Sequence, residues 1–305
     1  MPVQTASTPA RRLAYALEPF VGQVYFSPEC HAAYAALGFN PSSGKAGEVA
    51  LPDGPAYFTS RGSVMGQVPG QVVAAAFAVF NPAAVIPSVS YGWSLTDART
   101  ICQARDDGAI AQLVRILGDE PEGLARATEL LERATADLRP EGRPLYSGLR
   151  SLDEPAHALG RAWRLGDLLR EYRGDSHTAA WISAGLDAVE IGLLTELWLG
   201  LPMRSYIRTR AWSNDELDAG VDRLAARGWL DADGAGFSEA GRSARGQVED
   251  ATDLQMAPTV AGLGDDLEEL VEILQRWSDA LRAGGGYLGG GAGDLARRSG
   301  ASGEG

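Results

Sequence analysis

The sequence of 305 residues has only two cysteines, three histidines and one lysine, Lys45. Cys30 and Cys102 lie far apart and neither belongs to a CxxC pair, which excludes a disulfide-stapled scaffold and a zinc framework. The longest apolar run, near Val72–Phe80, is far shorter than the roughly 18–20 residues that a membrane span needs, and the N-terminus lacks the pattern of a signal peptide. These absences predict a cytoplasmic protein.

Motifs for nucleotide and acyl chemistry are also missing. The sequence contains no Gly-x-Gly-x-x-Gly, no P-loop and no Gly-x-Ser-x-Gly, so no cofactor is predicted. Acidic residues outnumber basic ones by 40 to 27, which gives a net charge of −13. A field of this sign repels nucleic acid and anionic lipid unless the arginines gather on one face.

What the sequence has is helical patterning. It predicts a mainly α-helical fold with four parts. They are a frayed N-terminus (residues 1–10), a helical layer (11–150), a winged helix-turn-helix with a two-strand wing (151–282) and a disordered Gly-rich tail (283–305). In the third unit, Leu186–Leu199, Met203–Arg210 and Asn214–Arg227 precede the wing in the order that a winged helix requires. Asn40–Pro55 is rich in Gly, Pro and Ser and predicts a loop.

The third helix of this unit does not suit a DNA groove. A DNA-reading helix offers basic or amide side chains to bases and phosphates. Here it carries four carboxylates, each of which opposes binding to phosphate: Asp215, Glu216, Asp218 and Asp222. Contrary evidence is a set of nearby arginines: Arg204, Arg208, Arg210, Arg242 and Arg245. We interpret the winged helix as a scaffold with a buried Leu217, Val221 and Leu224 face, and DNA reading remains the alternative.

Several motifs together carry a family resemblance. They are Leu169–Ala180, Gly185-Leu186-Asp187, Arg227–Gly234, Phe80-Asn81-Pro82 and Gly142-Arg143-Pro144-Leu145. The chain resembles the SalK-type helix-turn-helix family of actinobacteria, which is distantly similar to MarR-type winged helices, over residues 11–285. The resemblance implies a winged-helix fold and a connection with specialised metabolism, and it leaves the activity open. The chain departs from the family pattern at Tyr172, where a His is usual, and at Ser176, where a Gly is usual.

The cluster Arg173-Gly174-Asp175-Ser176-His177 is the first candidate site. Gly174 is able to end a helix, so that Asp175 or Ser176 caps the next helix and His177 lies in its first turn. The positive helix end would then lower the pKa of His177 and leave a neutral base. In the structural alternative, Asp175 is only a cap and His177 satisfies a buried carbonyl.

The second candidate site combines Arg61 with aromatic residues. Arg61 is suited to anchor a carboxylate or enolate with the Tyr57 hydroxyl as its partner, and pairing with an acidic helix end is the alternative. The predicted catalytic residues are His177, Arg61, Tyr57 and Asp175. The predicted ligand-binding residues are Tyr25, Phe26, Phe58, Phe77, Phe80, Asn81, Trp93, Arg173 and Trp181. Such aromatics are also typical of a core.

No metal site is predicted. Glu29, Cys30 and His31 are neighbours that point to different helix faces, and a His-rich site would need His31, His157 and His177 to converge.

The leading hypothesis is a small-molecule-binding protein of specialised metabolism that acts as a cofactor-independent enzyme. It would cyclise, isomerise or eliminate from an apolar intermediate by holding it in a productive shape. The alternative is a ligand-responsive transcription regulator, and the third possibility is a metabolite-sequestering self-resistance protein. The expected partner is an apolar small molecule, with a homodimer allowed and neither nucleic acid nor membrane expected.

Overall fold

The computed structural model describes residues 8–295. In the N-terminal half the helices are α1 (Pro9–Gly22), α2 (Pro28–Ala36), α3 (Gly54–Gly62), α4 (Gly70–Phe77), α5 (Pro82–Leu95), α6 (Ala98–Leu117), α7 (Leu124–Thr135) and α8 (Pro144–Arg150). They are followed by α9 (Ala158–Ser183), α10 (Ala188–Trp198), α11 (Asn214–Ala226), α12 (Glu239–Gln255), α13 (Ala257–Leu263) and α14 (Leu267–Ala283). The prediction of a mainly helical fold is confirmed.

Local signals set several helix ends. Ser27 Oγ accepts from the Cys30 N–H at 3.1 Å at the start of α2, and Ser213 forms a capping box with Glu216 at the start of α11. Gly185 has a φ of +69° and separates α9 from α10, because only glycine adopts this conformation at little cost.

The predicted helix end at Gly174 is wrong. α9 is one continuous helix of 26 residues, so neither Asp175 nor Ser176 caps a helix, and His177 lies in the helix interior. Ser176 Oγ donates instead to the Tyr172 carbonyl at 2.7 Å. A glycine inside a helix costs only about 1 kcal/mol relative to alanine, which the burial of many α9 side chains offsets.

Four further features differ from the sequence interpretation. The predicted loop Asn40–Pro55 contains an antiparallel hairpin of β1 (Gly44–Ala46) and β2 (Val49–Leu51). The wing is a short hairpin held by a single bridge between Leu230 and Phe237. The predicted disorder from residue 283 is corrected for the first part of the tail, because Leu288 is buried in the core. α1 already begins at Pro9, and residues 1–7 and 296–305 lie outside the described residues.

Three hydrophobic cores organise the chain. The first joins α1, α2, α6, α7, the start of α9, α13 and α14. The second joins α3, α4, α5 and α8. The third is the core of the helix-turn-helix unit, formed by the end of α9, α10, α11 and α12. α9 is shared, since Trp163 belongs to the first core and Trp181 to the third.

Among residues 8–295, no helix is long and apolar enough to cross a bilayer.

Candidate functional site

A cavity of about 980 Å³ lies between the helical layer and the helix-turn-helix unit; we call it the aromatic cavity. The helical layer contributes five of the predicted site residues: Tyr25, Phe26, Tyr57, Phe58 and Phe80. The helix-turn-helix unit contributes Leu199, Leu201, Tyr206, Thr209 and Arg210. Tyr287, Leu288 and the following glycines form a further wall. Both parts of the fold and the chain after α14 therefore enclose the same space.

The aromatic rings of the helical layer pack edge to face. The Tyr57 ring lies 5.1 Å from the Tyr25 ring and 5.3 Å from the Phe58 ring, and the Phe80 ring lies 5.1 Å from that of Phe58. Such pairs contribute about 0.5–1.5 kcal/mol beyond their buried area, so they stabilise this side of the cavity.

A charged network closes the inner end of the cavity; we call it the Glu171 network. Arg61 pairs with Glu171 through two hydrogen bonds of 3.0 and 2.8 Å, and its third nitrogen donates to the Tyr57 hydroxyl at 3.2 Å. Arg170 donates to Glu171 at 2.9 Å and to Glu18 at 2.8 Å. Arg61 and Tyr57 are thus joined by a hydrogen bond.

Burial and charge set the protonation state of this network. Burial alone would raise the pKa of Glu171, but Arg61 and Arg170 outweigh it and lower that pKa to about 2. Burial raises the pKa of Tyr25 well above its ordinary value, although Arg170 and Arg61 oppose the rise. Glu171 is therefore an anion and Tyr25 a neutral phenol at neutral pH.

A second, smaller cavity of about 260 Å³ lies on the other side of the network; we call it the charged cavity. Arg61, Arg173 and His177 line it, and Glu18 and Arg170 line both cavities. The pair formed by Glu18 and Arg170 therefore separates the two spaces.

His177 is a neutral imidazole in the charged cavity. Its Nδ1 lies 3.1 Å from Thr252 Oγ1 and 3.9 Å from a carboxylate oxygen of Glu249. Burial, and then the Arg245 guanidinium, lower the pKa of His177 to about 4. The predicted neutral state is present, but the cause is desolvation and not the end of a helix, since His177 lies in the interior of α9.

The other predicted site residues lie apart from the aromatic cavity. Asp175 accepts from the Tyr146 N–H at 3.1 Å, and burial raises its pKa to about 7. Trp93 donates to the Val68 carbonyl at 2.8 Å, and Trp181 is in the third core.

Three further predicted residues serve other contacts. Phe77 packs under the Arg61 guanidinium at 4.6 Å, and Asn81 caps α5 by accepting from the Ala83 N–H at 2.9 Å. Arg173 pairs with Glu249 at 3.2 Å.

Sequence reasoning missed the groups that organise the site. Glu18, Arg170 and Glu171 are not among the predicted site residues, and the sequence indicates Arg210 only as a contact to DNA phosphate. The adjacent charges of Arg170 and Glu171 within an apolar helical pattern were the one available signal, because charged side chains on a buried face need partners.

The outer face of the helix-turn-helix unit is acidic. Asp215, Glu216, Asp218 and Asp222 are exposed on α11. Most of the nearby arginines are engaged by acidic side chains. The pairs are Arg204 with Asp218, Arg223 with Asp187, Arg227 with Glu190 and Arg245 with Glu249. Phosphate binding would have to break these pairs, which weakens the electrostatic attraction that non-specific DNA binding requires.

The three histidines do not converge. His31 Nε2 lies 3.0 Å from the Tyr25 carbonyl oxygen, and His157 Nε2 lies 2.8 Å from Asp119. Residues 8–295 contain no group of three or more His, Cys, Asp or Glu side chains with the geometry to hold a metal ion.

Comparison with known proteins identifies the family. A family model described as a helix-turn-helix family matches residues 10–288, which includes both the helical layer and the helix-turn-helix unit. No match to the chain is found among curated proteins or among solved structures. Because the match extends from α1 to the buried Leu288, the whole of this architecture is the family's unit, and the chain belongs to this helix-turn-helix family.

Proposed function

We propose that the chain binds an apolar small molecule in the aromatic cavity and uses its helix-turn-helix unit as one wall of that cavity. The observation that carries the proposal is the cavity itself, with a volume of about 980 Å³ and walls of Tyr, Phe and Leu side chains. Ligand sites in proteins are typically apolar clefts of about 300–1,000 Å³ with a few polar groups that orient the ligand.

The proposal includes conversion of the ligand without a cofactor, by cyclisation, isomerisation or elimination. Its support is the Tyr57 hydroxyl, whose oxygen accepts from Arg61 and whose proton is therefore free to be donated to a bound oxygen atom. His177 is a proton acceptor, but it lines the charged cavity, across the Glu171 network from the aromatic cavity. The SalK-type resemblance adds specialised metabolism as the setting of this proposal.

A ligand-responsive regulator is the second candidate function. Tyr206 and Arg210 belong to the segment before α11 and line the cavity, so a ligand that contacts them would favour one position of the helix-turn-helix unit over another. The exposed carboxylates of α11 argue against DNA as its target. A metabolite-sequestering protein is the third candidate, and it needs the cavity alone.

A cavity-filling variant tests the binding proposal. Ser88 lines the cavity and Ser90 lies on the exposed face of the same helix, α5, so Ser88→Trp and Ser90→Trp are matched variants. The probe is N-phenyl-1-naphthylamine, a neutral apolar dye, titrated by fluorescence. We expect Ser88→Trp to weaken binding about tenfold or more and Ser90→Trp to change it by less than about twofold.

Three outcomes decide between the candidates. Equal dye affinity of Ser88→Trp and the unmodified chain would reject the aromatic cavity as the binding site. Salt-sensitive, sequence-selective retention of promoter DNA in a gel shift would favour the regulator. Mass spectrometry of molecules that co-purify with the chain, followed by turnover assays on them with Tyr57→Phe and His177→Gln, would separate an enzyme from a sequestering protein.

A further inference from the structure

We propose that Arg210 binds an anionic oxygen group of the ligand, such as a carboxylate, so that the ligand is an apolar molecule with one acidic end. This inference rests on the proposed function, because it concerns the ligand of the aromatic cavity. It adds the chemical class of that ligand and the residue that selects it.

The side chains that line the aromatic cavity carry a net positive charge, whereas the chain as a whole is negatively charged. Three arginines, Arg170, Arg210 and Arg282, line the cavity together with one carboxylate, Glu18. The chain as a whole has a net charge of −13. A cationic excess enclosed by apolar walls attracts an anion more strongly than the same charges would in water, because the local dielectric constant is lower.

The three arginines differ in their partners. Arg170 is neutralised by Glu18 and Glu171. Arg282 lies 3.4 Å from Asp279, which is exposed. Arg210 makes no ion pair with a carboxylate anywhere in residues 8–295, although its side chain is half-buried. It is therefore the cavity arginine whose charge is left for a ligand.

The Arg210 guanidinium is held in place before any ligand arrives. It lies 4.5 Å from the centre of the Phe80 ring and 4.8 Å from the centre of the Tyr206 ring, and it donates to the Tyr206 hydroxyl at 2.5 Å. Aromatic contacts on the plane of a guanidinium leave the in-plane N–H donors free, and these donors match the two oxygens of a carboxylate.

The backbone of Arg210 is anchored as well. Its carbonyl oxygen accepts from the Asn81 N–H at 2.9 Å, and the next residue, Ala211, has a φ of +62° that ends the short helical turn Tyr206–Arg210. The indole of Trp212 donates to the Val79 carbonyl at 2.9 Å. These contacts join the segment to the start of α5, so little conformational entropy is lost when a ligand binds to Arg210.

A pair of matched dyes tests the proposal. 8-Anilino-1-naphthalenesulfonate and N-phenyl-1-naphthylamine share the same two ring systems, and only the first carries an anionic group. We expect Arg210→Gln to weaken binding of the anionic dye about tenfold and binding of the neutral dye by less than about twofold. Arg210→Lys should retain part of the anionic preference, because it keeps the charge but not the planar donors.

Arg208→Gln is the control variant, because Arg208 lies two residues away and contacts the Arg204 carbonyl and Asn214 instead of the cavity. It should leave the affinities for both dyes unchanged within about twofold. Ser88→Trp as a single substitution, with Arg210 retained, should weaken binding of both dyes. That result would place both dyes in the aromatic cavity. Circular dichroism of each variant checks that the fold is kept.

The possible results separate this inference from the proposed function. If the neutral dye does not bind or is insensitive to Ser88→Trp, the proposed function fails. If the neutral dye binds as expected and Arg210→Gln leaves the anionic dye unaffected, only the inference about the acidic end is wrong. If Arg210→Gln weakens the binding of both dyes equally, Arg210 shapes the cavity and does not select the charge of the ligand. That result would also overturn the inference.

Discussion

The aromatic cavity and the charged cavity share a wall but differ in how their charges are matched. In the charged cavity, the arginines and glutamates pair with one another; they are Arg61, Arg170, Arg173, Glu18, Glu171 and Glu249. In the aromatic cavity, the walls are mostly apolar, and no carboxylate among residues 8–295 pairs with Arg210. The difference suggests that matched charges hold the helices together, and that the unmatched charge is the one available for recognition.

The largest expected effect comes from breaking the network between the cavities. Glu171→Ala leaves Arg61 and Arg170 without their shared buried carboxylate, and removing one partner of a buried ion pair typically costs about 3–5 kcal/mol. Urea denaturation should show this loss in the free energy of unfolding. The control is Glu268→Ala, whose ion pair with Arg12 is exposed and should contribute less than about 1 kcal/mol. Equal effects of the two variants would contradict the structural role of the network.

A smaller loss is expected from the wall of the aromatic cavity. The Phe80 ring packs against the rings of Tyr57, Phe58 and Phe77 and under Arg210. Phe80→Ala should reduce the free energy of unfolding by about 3 kcal/mol, near the lower end for buried phenylalanines, because the side chain borders open space.

Phe80→Leu is the matched control for this wall, because it keeps most of the apolar volume. It should cost less than about 1.5 kcal/mol in the same urea titration. A Phe80→Ala variant as stable as the unmodified chain would show that the aromatic wall is not a packed element.

The smallest effect concerns the pH dependence of the charged cavity. The pKa of His177 is lowered to about 4 from its ordinary value of 6.5. Between pH 4 and pH 6.5, the unfolded chain is therefore protonated at this histidine and the folded chain is not. The stability linked to His177 is present above pH 6.5 and is lost as the pH falls towards 4. Between pH 7 and pH 4, the unmodified chain should therefore lose about 2–3 kcal/mol more than His177→Gln does.

His157→Gln provides the comparison, because the His157 ring is partly exposed beside Asp119. Thermal or urea unfolding at several pH values should give this variant the same pH profile as the unmodified chain. If His177→Gln also follows that profile, desolvation of His177 is not the reason for its neutral state.

Short-range signals explain which parts of the fold were accessible from the sequence. The Ser213 cap and the turn at Gly185 depend only on neighbouring residues, so features of this kind are readable from the sequence. Gly174 carries an equally clear local signal, but burial along both sides of α9 overrides it. The hairpin between Gly44 and Leu51 is also local, yet its strands have three residues each and leave little pattern to detect.

The site follows the same division. Tyr57 and Arg61 are four residues apart on α3, so their contact follows from helix geometry. Five of the predicted aromatic residues line one cavity, because large apolar side chains pack at the interfaces between helices. Glu18 and Arg170 lie on different helices, α1 and α9, and no sequence rule brings them together. Arg210 could not be distinguished from its neighbours, because only the structure shows which arginines have acidic partners.

The continuity of α9 has a mechanical consequence. This helix has 26 residues and is about 39 Å long. Its N-terminal end packs among the N-terminal helices, and its C-terminal end packs in the core of the helix-turn-helix unit. A helix break at Gly174 would have let the two ends of α9 move independently, but α9 is continuous through this residue. Because Trp181 near the end of α9 belongs to the same core as α10, a displacement of the helix-turn-helix unit would be transmitted along α9 to Arg170 and Glu171, between the two cavities.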